Sequence, residues 1–238
     1  MRYRSEATSI AGFVQQIACC YLRHGYWWYV TGRIPDGKDR QSVDRKLIEK
    51  YGIAVSESTR ARRKRAGQAN LQYLRHRDFF VILATRGNHR FFEEEAACIR
   101  DIRRSPLKFG GYSISYRPGG RKRNGEPDPR RHAHVEIERQ RYLDIRAHLL
   151  ELAVHRSADN LALAFYQLPF EPYAPVRRQF LKLLRAVNEA RRQAGFRPVP
   201  SEVLPLRRRV VRPFQDPLEL VNKMPGHEGR GESQVIPA

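Results

Sequence analysis

The stretch His132-Ala133-His134-Val135-Glu136-Ile137 alternates polar and apolar side chains without a break. As a β-strand it would send successive side chains to opposite faces. His132, His134 and Glu136 then share one face, and Ala133, Val135 and Ile137 share the other. Such a strand needs a core on one side only, so it belongs in a sheet with one packed and one open face. Two imidazoles and a carboxylate on the open face are also a normal ligand set for a catalytic divalent metal.

The segments around this strand suggest the sheet. The apolar run from Phe79 to Thr85 reads as a buried strand ended by Gly87-Asn88. Phe91 to Arg103 reads as a helix with Glu93, Glu94 and Glu95 in its first turn, where the helix dipole favours acids. Phe109 to Arg117 is the next expected strand, broken by Pro118-Gly119-Gly120, and 121–131 is a polar, basic loop leading to His132. A helix is expected over Gln140 to Arg156, a strand over Leu161 to Leu168, and a last helix from Pro175 to about Arg192. This β-α-β-β-α-β order predicts an α+β, ferredoxin-like antiparallel sheet with helices on one face.

Before Asp78 the pattern is more mixed. Residues 8–23 have apolar side chains at helical spacing, Tyr26 to Thr31 reads as a strand, and Pro35-Asp36-Gly37 as a turn. Ser42 to Tyr51 reads as a helix capped at Ser42 and stopped by Gly52. Three parts are therefore expected. Residues 1–70 form a basic α/β N-terminal extension, either a DNA-reading module or extra strands of the same sheet. Residues 71–195 form the main domain. Residues 196–238, with seven prolines and the run Arg207-Arg208-Arg209, form a mobile tail.

Charge indicates the partner. With 45 Lys+Arg against 25 Asp+Glu the formal net charge is +20, which points to a polyanion, most often nucleic acid. The densest basic cluster comprises Arg60, Arg62, Arg63, Lys64 and Arg65, expected to contact phosphates. Arg121, Lys122 and Arg123 are a second such group. Of Trp27, Trp28 and Tyr29, which alternate in direction, only one side could stack on bases. The three cysteines include no Cys-x-x-Cys pair, which argues against a zinc finger and fits a reducing cytoplasm. No apolar run is long enough to span a bilayer, so no membrane is expected. No Gly-x-x-x-x-Gly-Lys-Ser/Thr stretch occurs, so any unwinding would need a partner helicase.

The His132 to Ile137 stretch, with the expected order of elements around it, resembles the His-hydrophobic-His motif of the HUH endonucleases. These are rolling-circle replication initiators, relaxases and single-tyrosine transposases. The resemblance covers roughly residues 78–192. It implies that His132, His134 and a polar third ligand hold Mg²⁺ or Mn²⁺ against the scissile phosphate of single-stranded DNA. It further implies that a tyrosine attacks to form a 5′-phosphotyrosine link, in replication or transposition of a mobile element. Tyr173 is the candidate nucleophile, with Arg177 four residues on, where many members carry Lys. Glu136 is the candidate third ligand, with Glu138 behind it.

Two other functions fit the same residues. A DNA- or RNA-binding protein without catalysis would use the histidine face and basic clusters for contact alone. A metal-independent ribonuclease would use His132 or His134 as general base.

Overall fold

The structure, a computed structural model, describes residues 3–120 and 124–214. The fold is α+β. In chain order the elements are α1 (Ile10–Gln15), continued by a π-helical turn and a 3₁₀ turn to His24, then β1 (Trp28–Arg33), α2 (Arg40–Lys50), α3 (Glu57–Arg65), β2 (Leu71–His76) and β3 (Phe79–Ala84). There follow α4 (Phe91–Glu94), β4 (Arg100–Asp101), β5 (Leu107–Phe109), β6 (Tyr112–Pro118), β7 (Arg131–Ile137), α5 (Arg139–Ala153), α6 (Ala158–Tyr166) and α7 (Ala174–Gln193).

The strands form two antiparallel sheets, ordered β2-β3-β1-β4 and β5-β6-β7. Ile102 links them: its amide donates to the Trp27 carbonyl at 2.9 Å, and its carbonyl accepts from the Tyr116 amide at 3.4 Å. One core runs beneath both sheets. It takes Tyr29, Leu74, Val81, Leu83, Tyr112, Ile114, Val135 and Ile137 from the strands, and Phe13, Ile17, Leu149, Phe165, Phe180 and Leu184 from the helices. A smaller core lies on the other face of the four-stranded sheet, where Val30, Tyr73 and Ile82 meet Tyr51, Ile53 and Phe91.

Residues 3–70 supply one strand to the sheet, because β1 lies between β3 and β4. The chain start is tied down by a buried ion cluster. Arg75, 1% exposed, gives Nε to Asp44 at 2.9 Å and its terminal nitrogens to Glu6 at 2.8 and 2.9 Å. Helix α2 starts before Ser42, because Asp39 accepts from the Gln41 and Ser42 amides and is the cap.

The order after Asp78 differs from the expected β-α-β-β-α-β. The segment Phe91 to Arg103 is one helical turn followed by β4. Ala96, Ala97 and Cys98 are exposed, so no apolar stripe holds a longer helix, and Arg100–Asp101 instead pairs with the edge of β1. Residues 109–117 are interrupted by a hairpin. Gly110 and Gly111 both have positive φ (56° and 78°), as a two-residue turn requires, and they separate β5 from β6. The expected strand Leu161 to Leu168 is helix α6. Ser157 caps it through the Asn160 amide, and the buried residues Leu161 and Phe165 are four apart, with Leu163 and Tyr166 exposed.

Residues 196–214 are packed against the rest. Val199 and Leu204 are buried, and Asn188 exchanges two hydrogen bonds with the Val199 main chain, both 2.8 Å. Gln15 does the same for Val211, at 2.6 and 3.2 Å. The remainder of the expected tail, 215–238, lies outside the described residues.

Candidate nucleic-acid interface

The strand β7 presents its side chains as its alternation requires. Val135 and Ile137 are buried in the core, and His132, His134 and Glu136 lie on the opposite face. Register completes that face. Ser113 is opposite Glu136, Ser115 opposite His134 and Arg117 opposite His132, and directly paired residues point the same way. The sequence did not mark Ser113, Ser115 or Arg117, because the connection of residues 119–130 hides which residues of β6 oppose which of β7.

The two histidines turn to different acids. His132 is exposed and its Nε2 lies 3.3 Å from Asp128 Oδ2. The Arg130 amide and then His132 hold the Asp128 carboxyl below its ordinary range. His134 Nδ1 lies 3.9 Å from Glu136 Oε2, too far for a hydrogen bond. That Nδ1 and Ser115 Oγ are both buried without a hydrogen-bond partner among the described residues. Burial lowers the His134 pKa; Glu136 opposes the shift, and Arg117 and Arg178 add to it. The Arg117 guanidinium in turn lies 3.4 Å from Glu136 Oε1.

This arrangement does not fit a ready-made divalent-metal centre. His132 faces Asp128 and Glu136 faces Arg117, and among the described residues no three His, Cys, Asp or Glu side chains converge to hold an ion. Mg²⁺ and Mn²⁺ also favour oxygen-rich sites.

Tyr173 is not brought to the histidines. It occupies the position before α7, with the Arg208 guanidinium 4.9 Å over its ring and the Tyr112 ring 6.5 Å away. Tyr112 belongs to the apolar face of β6, opposite to the histidine face. Burial pushes the Tyr173 hydroxyl up to about 12, which works against a nucleophile. Arg177 is exposed on the first turn of α7, and no tyrosine lies within that helix. His89 is also elsewhere: its Nδ1 accepts from the Phe91 amide at 3.1 Å, beside Tyr51. Trp27 and Trp28 are both half-buried with Arg103 over them, at 4.6 and 4.9 Å, and Trp27 also stacks on Tyr116.

The basic cluster Arg60 to Arg65 is helical, as part of α3, whose N-terminus Ser56 caps through the Thr59 amide. Its side chains divide by role. Arg60 and Arg63 are half-buried and brace the local chain by donating to the Val55 and Gly52 carbonyls, at 2.9 and 3.0 Å. Arg62, Lys64 and Arg65 are exposed. No ion pair holds any of these three among the described residues. Arg121, Lys122 and Arg123 lie outside the described residues.

No protein-family model and no curated protein matches the chain. Among the described residues, no helix is long and apolar enough to cross a membrane.

Proposed function

We propose that this protein binds nucleic acid, with α3 as the principal phosphate-contacting element. Helix α3 itself carries the reading. None of its residues is fully buried, and it ends in Arg62, Arg63, Lys64 and Arg65. Arg62, Lys64 and Arg65 are exposed, Arg62 and Arg65 on one face and Lys64 on another, and among the described residues no acid pairs with them, a concentration of charge that suits a polyanion. The net charge of +20 supplies long-range attraction. The test is fluorescence anisotropy with labelled single-stranded DNA, RNA and duplex DNA. Replacing Arg62, Lys64 and Arg65 together by Gln should weaken binding at least tenfold and leave the melting temperature unchanged.

A second reading is single-stranded DNA nicking and joining of the HUH type. One observation favours it: His132, His134 and Glu136 share a strand face that also holds two polar atoms without a hydrogen-bond partner among the described residues, His134 Nδ1 and Ser115 Oγ. The nucleophile would then come from a tyrosine brought to that face on binding DNA. A protein-linked DNA band on a denaturing gel, dependent on Mn²⁺ and lost in EDTA and in His134→Ala, would support it. Mass mapping of the linked peptide would identify the tyrosine.

A further inference from the structure

Beside α3 lies a cavity of about 650 Å³, within the size range of small-molecule sites. Its floor is β2 and its side is α3. From β2 and the residue before it come Gln72 and Asn70, only 6% and 5% exposed, and from α3 come Arg60 and Lys64, four residues apart and so on one helix face. Tyr21 and Tyr26, both buried and 5.8 Å between ring centroids, form an aromatic wall. Arg4 and His24 add basic groups to the lining, against the single acid Glu57.

The hydrogen bonds inside are mostly closed. Gln72 accepts from the Tyr3 hydroxyl at 2.8 Å and donates to the Tyr26 hydroxyl at 3.3 Å. Asn70 Nδ2 donates to the Arg60 carbonyl at 3.0 Å. Two atoms are left over. Arg60 Nε, a donor, and Asn70 Oδ1, an acceptor, are buried without a hydrogen-bond partner among the described residues, and both residues line this cavity. A buried donor and acceptor left open cost stability, and because neither atom has accessible surface, a ligand completes the bonding only once the Arg60 and Asn70 side chains turn toward the cavity.

We propose that this cavity takes one unstacked nucleotide. With those two side chains turned, the base edge would offer an acceptor to Arg60 Nε and a donor to Asn70 Oδ1, its ring would lie along the exposed edges of Tyr21 and Tyr26, and its phosphate would meet Lys64 and Arg4 at the basic rim. Nucleobase edges carry adjacent donors and acceptors, and aromatic walls with basic rims are the recurring means of holding single strands. The idea rests on the nucleic-acid reading of α3 for its strand-borne form, in which α3 contacts the backbone while the cavity holds one base. A free nucleoside monophosphate has the same chemistry.

The test uses the full chain and the variant Ala61→Trp. Ala61 is exposed and lines the cavity, so the indole fills the space without disturbing the core. The probes are the four ribonucleoside 5′-monophosphates, a mixed-sequence single strand of about 12 nucleotides and the matching duplex. Ala61→Trp should weaken single-strand binding about tenfold more than duplex binding, the worth of one stacked base. Monophosphate binding that the variant abolishes would show that a free nucleotide is also accepted. In the wild type, ultraviolet crosslinking of a 5-bromodeoxyuridine strand should map to Tyr21 or Tyr26, which requires no variant to fold. Crosslinks only elsewhere, with Ala61→Trp equal to wild type on every probe, would overturn the cavity and leave α3 binding standing. Failure of the wild type to bind strand or duplex, with variant-sensitive monophosphate binding retained, would do the reverse.

Discussion

Gln179 holds both main-chain groups of Ile137: its Oε1 accepts from the Ile137 amide at 2.8 Å and its Nε2 donates to the Ile137 carbonyl at 3.0 Å. The side-chain amide stands in for a neighbouring strand at the outer edge of β7, where an unpaired edge would otherwise invite another chain. The same device recurs in Asn188 with Val199 and Gln15 with Val211. Together these three amides tie α7, the strand with the histidines and the final described segment into one body.

Replacing Gln179 by Leu removes the partner of a donor and an acceptor on a residue that is itself buried. The change should cost about 1–3 kcal/mol. Urea denaturation would show a lower midpoint, and hydrogen exchange would show faster exchange at the Ile137 amide. An unchanged midpoint would mean that the Ile137 main chain has another partner.

The Arg75 cluster should be a larger contributor. Asp44 accepts from Arg75 Nε, from the Tyr73 hydroxyl at 2.5 Å and from the Ser5 hydroxyl at 3.2 Å. In Asp44→Ala the buried guanidinium keeps only Glu6, which is half-exposed, as an acidic partner. The expected loss is about 3–5 kcal/mol, read from chemical denaturation. A loss under about 1 kcal/mol would show that the cluster is not coupled to folding.

The sequence revealed those parts of the fold whose signal is local. The alternation of β7, the apolar run of β3 and the stripe of Val176, Phe180, Leu184 and Val187 on α7 each need only their own period. Helix α6 was hidden because Leu161 to Leu168 is apolar enough for a strand and only the Ser157 cap marks it as a helix. The Glu93-Glu94-Glu95 run suggested a helix start that no buried stripe continues. The candidate site divides the same way. Which residues share a face follows from strand period, but Ser115 and Arg117 depend on cross-strand register, and Asp128 on the path of the connection before β7. The orientation of Tyr173 depends on packing against Tyr112 and Arg208, which no local pattern encodes.

His134 should make stability depend on pH. Its pKa is lowered by burial, with Glu136, Arg117 and Arg178 around it, so the folded protein binds its proton less readily than the unfolded chain. The stabilisation is then fully present above the unfolded value of about 6.5 and is lost as pH falls through the folded value. Melting temperatures should decline across this window, and the decline should be shallower in His134→Gln. Identical profiles would show that other groups set the acid limit.

The most direct test of nucleic-acid binding through α3 is the salt dependence of single-stranded DNA affinity, measured by anisotropy in EDTA. Binding should persist without divalent metal, and log K should fall linearly with log salt. Removing Arg62, Lys64 and Arg65 should make the slope shallower by about 0.7 for each phosphate that these side chains neutralise. Absence of binding at low salt, or a slope that the triple replacement leaves unchanged, would contradict the account.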